Sequence, residues 1–245
     1  MGIGPGSSRH MTFAAAEALR QADVVIGYHA YVAQVRARLR GKHVIARDIG
    51  LELERAAEAI DLACQGHRVA LISGGDAGIY GMAAPLFETL EARGWQPDRP
   101  PRVRVVPGVS AAQAAAAVLG APLMHDFATI SLSDLLISWE IIEQRVRAAA
   151  RADFVLALYN PASQKRTTQL DLALRIVRAS RSSETPVAFV HNAGRREETI
   201  EVTTLAQAHA SRADMRTIVI VGSSSTRRLG DLLLTPRGYA SPAKR

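Results

Sequence analysis

The chain reads as two α/β domains, the first on a mainly parallel sheet and the second on a mixed one. Three observations carry this expectation. Short β-like apolar runs alternate with longer helical runs through the first half. The texture changes near Gly120-Ala121-Pro122. Three strand-like runs beyond Val187 then lie close together, with little helix between Val190 and Thr203, which favours a partly antiparallel second sheet. The boundary is placed so that residues 1–122 form the N-terminal domain and 123–245 the C-terminal domain.

The elements follow in order. Val24-Val25-Ile26 is a short strand closing at Gly27-Tyr28. Leu51 to Cys64 has helical periodicity, with Leu53, Ala56, Ala57, Ile60 and Cys64 on its apolar face. Val69 to Ile72 is a buried strand running into a glycine loop, and Met82 to Ala92 is a helix. Trp95 to Arg102, with Pro97, Pro100 and Pro101, is a surface loop. Val103 to Val106 is a strand stopped by Pro107-Gly108, and Ser110 to Leu119 is an Ala-rich helix. In the second half the expected strands are Thr129 to Ser133, Phe154 to Tyr159, Val187 to Val190, Thr199 to Thr203 and Ile218 to Val221. The expected helices there run from about Trp139 to Ala150 and from about Thr167 to Ala179. From Arg237 a basic, proline-containing tail is expected to be loose.

The bulk numbers bound the function. A chain of 245 residues with 48% hydrophobic content can bury a substantial core, and with 5% aromatics that core is built mainly from Ala, Val, Leu and Ile. No apolar run approaches the length of a membrane span, and Met1 to Gly6 lacks the regions of a secretory signal. The single cysteine, Cys64, has no partner for an internal disulfide and reads as a buried structural thiol. A cytoplasmic enzyme fits these features. The formal charge is +7, but the basic residues are dispersed and no stacking aromatics interleave with them. A nucleic-acid partner is therefore not expected, whereas a polycarboxylate substrate is compatible. No metal site is expected.

Gly2-Ile3-Gly4-Pro5-Gly6 invites a dinucleotide-binding reading, which its details oppose. The third glycine of that fingerprint is missing, no acid ends the next strand, and Pro5 removes a backbone donor. A nicotinamide-dependent oxidoreductase is disfavoured on these grounds. The segment is a tight turn after a strand to which only Met1 to Ile3 contribute, as if the numbering started late. Ser73-Gly74-Gly75-Asp76-Ala77-Gly78-Ile79-Tyr80-Gly81 is more informative. It lies between a buried strand and a helix, its glycines let a ligand approach the backbone, and Asp76 suits hydroxyls and amines better than phosphate. The alternative is a strand-to-helix turn with Asp76 as a helix cap. Pro107-Gly108-Val109-Ser110-Ala111 repeats the theme, and both loops fall at carboxyl ends of strands, where open α/β sheets bind ligands.

These three loops, in this order, resemble the tetrapyrrole methylase family over nearly the whole chain. Gly27-Tyr28 with Tyr31, Gly75 to Ala83, His125-Asp126-Phe127, Ile130-Ser131-Leu132-Ser133-Asp134-Leu135-Leu136, and Leu158-Tyr159-Asn160-Pro161 with Ser163 and Arg166 belong to the same set. Ala77-Gly78-Ile79-Tyr80 is similar to the branch that methylates a precorrin at C17 and contracts its ring. Ser138 before Trp139 departs from the pattern, where proline is usual. The resemblance implies S-adenosylmethionine as methyl donor, a small-molecule tetrapyrrole as substrate, an active site in the cleft between the domains, and a homodimer. It implies donor contacts from Pro5, Gly74, Gly75, Asp76, Ile79, Ser110 and Ala111, and from Asn160 and Ala193 in the second domain.

Methyl transfer itself asks mainly for positioning and exclusion of water. Ring contraction also needs a general base near the ring, for which His125, Asp126 and Asp134 are candidates. Taken singly, each is more readily read without a catalytic role, Asp126 and Asp134 as loop caps and His125 as a partly exposed linker residue. Tyr28 and Tyr31 could face the macrocycle or simply seal the first domain. Ser131 is a further candidate substrate contact. Arg9, Arg36, Arg47 and especially Arg166 could meet the carboxylates at the substrate rim. A tetrapyrrole carrier without catalysis is the remaining alternative, and the intact donor loop argues against it.

Overall fold

Strands β1 (Val24–Tyr28), β2 (His43–Arg47) and β3 (Val69–Leu71) form a parallel sheet in the order β2-β1-β3. They belong to the first of two units, Met1–Ala111, in a computed structural model that describes residues 1–239. Successive residues of β1 face opposite sides of this sheet, and both sides are apolar because helices cover both. Val25 and Ala70 pack with Ile3, Leu19 and Ile72 on one side. Val24, Ile26 and Leu71 pack with Ile45, Ala56 and Ala59 on the other. The helices supplying these residues include α1 (Phe13–Gln21), capped by Thr12, α2 (His29–Val35), α3 (Glu52–Cys64) and α4 (Ala83–Ala92). The sequence reading left out α1, α2 and β2, whose apolar residues are few and spaced by Arg, Gln and Ala.

Met1–Gly4 extends the sheet at one end only. The Met1 ammonium donates to the Leu71 carbonyl at 2.6 Å, and Ile3 N–H to Ser73 at 2.9 Å. On the other side of the segment, Gly2 N–H donates to the Val106 carbonyl at 2.9 Å. Residues 103–106 join no strand, contrary to the sequence expectation. Val106 accepts from Gly2, and among the described residues the rest of the stretch enters no ladder, so its apolar composition is not matched by strand pairing. Trp95–Arg102 forms turns, with the Trp95 indole donating to the Pro101 carbonyl at 3.0 Å.

Cys64 is exposed, a correction to the buried thiol expected from periodicity. The buried stripe of α3 runs through Arg55, Ala56, Ala59 and Ile60, and Cys64 lies beyond it in the last turn. Leu53, on the other flank of that stripe, is exposed as well.

The second unit begins at Ala112, earlier than the boundary expected after residue 122. The helix α5 (Ala111–Leu119) leads into β4 (Gly120–Ala121), and β4 pairs with β11 (Leu232–Leu234) near the far end of the chain. That long-range ladder ties the stretch to the second unit, and short-range sequence texture carries no sign of it. Strand β10 (Arg227–Leu229) closes a hairpin on β11. The main sheet holds β5 (Phe127–Ser131), β6 (Val155–Tyr159), β7 (Pro186–His191), β8 (Thr199–Thr204) and β9 (Thr217–Val221), in the order β5-β6-β9-β7-β8. β5 and β6 are parallel and the other pairs antiparallel, the mixed sheet the sequence predicts. Helices α6 (Trp139–Arg151) and α7 (Gln169–Arg178) pack on it through Ile142, Val146, Leu170 and Leu174, against Leu156, Leu158 and Val219. Of the expected loose tail, residues 240–245 lie outside the described residues.

The entries to β1 and β3 are joined by Asp23 and Arg68. Arg68 donates to the Asp23 carboxylate from its backbone at 3.0 Å and from its guanidinium at 2.9 Å. These bonds hold the Asp23 pKa down at about 2. A depressed carboxylate stabilises the fold above its unfolded pKa, and the benefit fades as pH falls through the folded value. The melting temperature is therefore expected to drop between about pH 4 and pH 2. Asp23→Asn should flatten that part of the profile in calorimetric scans.

Candidate functional site

In the first unit, three glycine turns meet at the carboxyl ends of the strands. Gly75 N–H donates to the Gly4 carbonyl at 2.8 Å, and Gly4 N–H returns a bond to Gly75 at 3.1 Å. Gly75 sits at φ +64°, a left-handed conformation that favours glycine. A Cβ on Gly2 would lie 2.5 Å from the Gly75 carbonyl oxygen, and one on Gly108 would collide with that same oxygen and with the Gly2 backbone. Backbones from three separate parts of the sequence thus touch with no side chain between them.

Asp76 fastens this cluster. One carboxylate oxygen accepts the Gly78 N–H at 2.7 Å and the other accepts the Gly108 N–H at 2.8 Å. The helix-cap alternative for Asp76 is set aside, because the N–H of Met82, at the start of α4, is bonded by the Ser73 hydroxyl at 2.8 Å. Ile79 and Tyr80 are exposed beside Asp76, with Tyr80 at φ +54°. Pro5 and Ser110 are buried, and Ala111 opens α5. A Cβ on Gly74 would run into the Tyr31 ring, which meets Tyr28 edge-on with centroids 5.4 Å apart. Seven expected donor residues and both tyrosines therefore gather at one edge of the first unit.

The second unit builds its own cluster. β6 and β7 both run antiparallel to β9, so the carboxyl ends of β5, β6 and β7 share one edge of the sheet. Ser131 ends β5, Asn160 follows β6 at φ +51°, and buried Ala193 follows β7. The Asn160 amide donates to the Ser131 hydroxyl at 2.9 Å. Arg166 is buried and aims inward, giving Nε–H to the Asn160 carbonyl at 2.9 Å and Nη1–H to the Ser133 hydroxyl at 3.2 Å. Burial pulls its pKa below the ordinary value, and the charge of Asp134 opposes that pull. The expectation at this position is a contact to the substrate rim; in the structure the Arg166 side chain braces the turn that presents Asn160. Asp134 stands at the same edge, held by the Gln169 amide at 2.8 Å.

The three candidate bases are not together. His125 and Asp126 precede β5, whereas Asp134 follows it, so the strand's roughly 17 Å length separates them. His125 accepts the Asp126 N–H at 2.9 Å, and both side chains are exposed. Nearness in sequence suggested one group, but an extended strand carries its ends apart. Sequence reading missed Gly108 as the partner of Asp76, Ser73 on α4, Ser133 on Arg166 and Gln169 on Asp134. Only Gly108 carried a signal, as the break at the end of an apolar run. Among the described residues no group of three or more His, Cys, Asp or Glu is placed to hold a metal, and no helix is long and apolar enough to cross a membrane.

A glycine cradle fastened by one carboxylate, at the carboxyl edge of a parallel sheet, defines a small-molecule site of an α/β protein. The model for Tetrapyrrole (Corrin/Porphyrin) Methylases matches residues 1–209, and the chain belongs to that family. A probable cobalt-factor III C(17)-methyltransferase of Salmonella typhimurium is 48% identical over 239 residues, covering 98% of this chain and 98% of that protein. A precorrin-3B C(17)-methyltransferase of Sinorhizobium sp is 44% identical over 250 residues, covering 100% of this chain and 97% of the relative. The chain spans only 44% of a longer protein of Priestia megaterium named cobalt-factor III methyltransferase, at 46% identity. Among solved structures, the methyltransferase CobJ superposes with a TM-score of 0.89 at 41% identity, covering 96% of this chain and 97% of its own.

Proposed function

We propose that this chain transfers a methyl group from S-adenosylmethionine to C17 of precorrin-3B, with ring contraction to precorrin-4, or carries out the same reaction on the cobalt-containing equivalent in cobalamin biosynthesis. The single observation that carries the donor assignment is the Asp76 clamp, which holds Gly78 and Gly108 at a surface without intervening side chains. The donor fits these residues. A carboxylate has about four acceptor sites, so Asp76 can accept hydroxyl hydrogens in addition to its two backbone N–H bonds. The half-buried Gly74 and Gly75 and the exposed Gly78, which carry no side chain, suit a close-lying ligand, and exposed Ile79 and Tyr80 offer apolar surface to a flat ring.

When bound, S-adenosylmethionine supplies an electrophilic methyl carbon on a sulfonium. The chain's task is to orient donor and ring carbon and to keep water away. Pro5, Gly74, Gly75, Asp76, Ile79, Ser110 and Ala111 are the proposed donor contacts of the first unit, with Asn160 and Ala193 from the second. Tyr28, Tyr31 and Ser131 are proposed to face the substrate, and Arg166 to act through Asn160 as a positioning residue. Of the candidate bases, Asp134 is the one we assign to the ring-contraction proton, because it shares an edge with Asn160 and is oriented by Gln169. A homodimer in the cytoplasm accompanies this reading.

Isothermal calorimetry tests it. S-adenosylmethionine and S-adenosylhomocysteine are expected to bind and to raise the melting temperature, whereas NAD is not. Binding of NAD without binding of either adenosyl compound would overturn the proposal.

A further inference from the structure

β7 ends on His191, at the edge of the second sheet that also carries Ser131 and Asn160. Antiparallel pairing sets His191 opposite Thr217, the first residue of β9. The His191 Nδ1 lies 3.1 Å from an Asp214 carboxylate oxygen and 3.2 Å from the Thr217 hydroxyl. Thr217 already donates its hydroxyl hydrogen to that same Asp214 oxygen at 2.9 Å, so toward His191 its oxygen can only accept. Two acceptors therefore meet Nδ1, and Nδ1 carries the ring hydrogen. In the neutral ring this leaves the Nε2 lone pair unspent. No described group bonds Nε2, and the side chain is 30% exposed.

We propose, on the strength of the methyl-transfer reading, that His191 is an axial ligand to the metal of a cobalt-bearing tetrapyrrole, which makes the cobalt form the preferred substrate.

Among the described residues no group of three or more His, Cys, Asp or Glu could hold a metal ion of its own. A metal already held by the nitrogens of a macrocycle asks for less. It needs one axial lone pair, on an imidazole whose other nitrogen is fixed by a carboxylate. Three further histidines stand beside carboxylates, and each presents the wrong nitrogen. The Nε2 of His29 faces Asp48 at 3.7 Å, and the Nε2 of His209 faces Asp171 at 3.9 Å. His125 accepts the Asp126 N–H at Nδ1, so its neutral ring carries the hydrogen on Nε2. Of these side chains only His191 turns an open lone pair outward. Its backbone is fixed along with its ring. The Asp214 oxygen that meets Nδ1 also accepts the Arg216 N–H at 2.8 Å, and the Arg216 carbonyl accepts the Asn192 N–H at 3.0 Å. Coordination moves no proton and no electron. Nε2 shares its lone pair with the metal, and Nδ1 keeps its hydrogen on Asp214. A metal-free ring gives that lone pair nothing comparable to bind.

Electron paramagnetic resonance of the full chain with the cobalt(II) equivalent of precorrin-3B tests this. The spectrum is expected to show hyperfine splitting from one axial nitrogen, in a pattern that changes when the chain carries ¹⁵N-labelled histidine. In calorimetry the cobalt form is expected to bind about tenfold more tightly than metal-free precorrin-3B. His191→Ala is expected to abolish both the splitting and the preference. Bound cobalt substrate without axial nitrogen splitting, splitting indifferent to the label, or splitting that persists in His191→Ala would overturn the proposal. The labelled chain needs no substitution, so it decides the matter even where His191→Ala does not fold. Binding of neither form would overturn the methyl-transfer reading, and this inference with it.

Discussion

Replacing Asp76 by alanine is expected to weaken S-adenosylmethionine binding about a hundredfold, or ~2.7 kcal/mol, while leaving the fold intact. The carboxylate accepts two backbone N–H bonds, from Gly78 and from Gly108, on two separate loops. Hydrogen bonds to a charged group contribute roughly 1.5 to 3 kcal/mol each, and both are lost together. Asp76 is half-buried at the rim of the first unit rather than in its core, so the penalty falls on loop geometry and ligand contact. Asp76→Asn should lie between the two, because an amide keeps one acceptor oxygen but turns a donor toward the second N–H. Calorimetry measures the affinity and circular dichroism checks the fold. An alanine variant with unchanged donor affinity would remove Asp76 from the site.

Gly108→Ala is expected to do more damage from a smaller chemical change. Its Cβ would meet the Gly75 carbonyl oxygen and the Gly2 backbone, and none of these can rotate away as a side-chain tip would. Overpacking against fixed backbone costs about 3 kcal/mol, and the shift it forces would also separate Gly108 N–H from Asp76. Urea unfolding should show the loss, with donor binding falling in parallel. Gly94→Ala is the control, since nothing lies within 4 Å of the added Cβ and that variant carries only the strain of its positive φ, +67°, which Gly108 lacks. A Gly108→Ala protein as stable as the Gly94→Ala protein would contradict the three-backbone contact.

These two residues also show what the sequence made legible. Gly74, Gly75 and Asp76 stood out because a buried strand ran straight into them, and the loop at Pro107 to Ala111 because it repeated that pattern. That the two loops are joined by one carboxylate was invisible, since Asp76 and Gly108 lie 32 positions apart and the bond depends on sheet order. The mixed second sheet was readable from strand-like runs too close together for crossover helices. The pairing of β4 with β11 was not, because it joins Gly120-Ala121 to Leu232–Leu234 across the whole second unit. Local periodicity misled at Cys64, where a helix outruns the surface that buries it. It misled again at residues 103–106, whose strand-like composition was real but which, beyond the bond from Gly2 to Val106, enter no ladder among the described residues. Arg166 stood out in its motif, but the direction of its side chain was not readable. A buried arginine that braces a turn and an exposed one that meets a carboxylate look alike in one dimension.

The most direct test of the account is methyl transfer itself. The purified chain is incubated with precorrin-3B, or separately with its cobalt form, and with S-adenosylmethionine carrying a ¹³C-labelled methyl group. The product is then weighed by mass spectrometry and the label located by NMR. The account predicts a gain of one methyl group in place of one hydrogen, the label on C17, and a contracted ring in at least one of the two incubations. Label on any other ring carbon, or donor bound with neither substrate methylated, would contradict it.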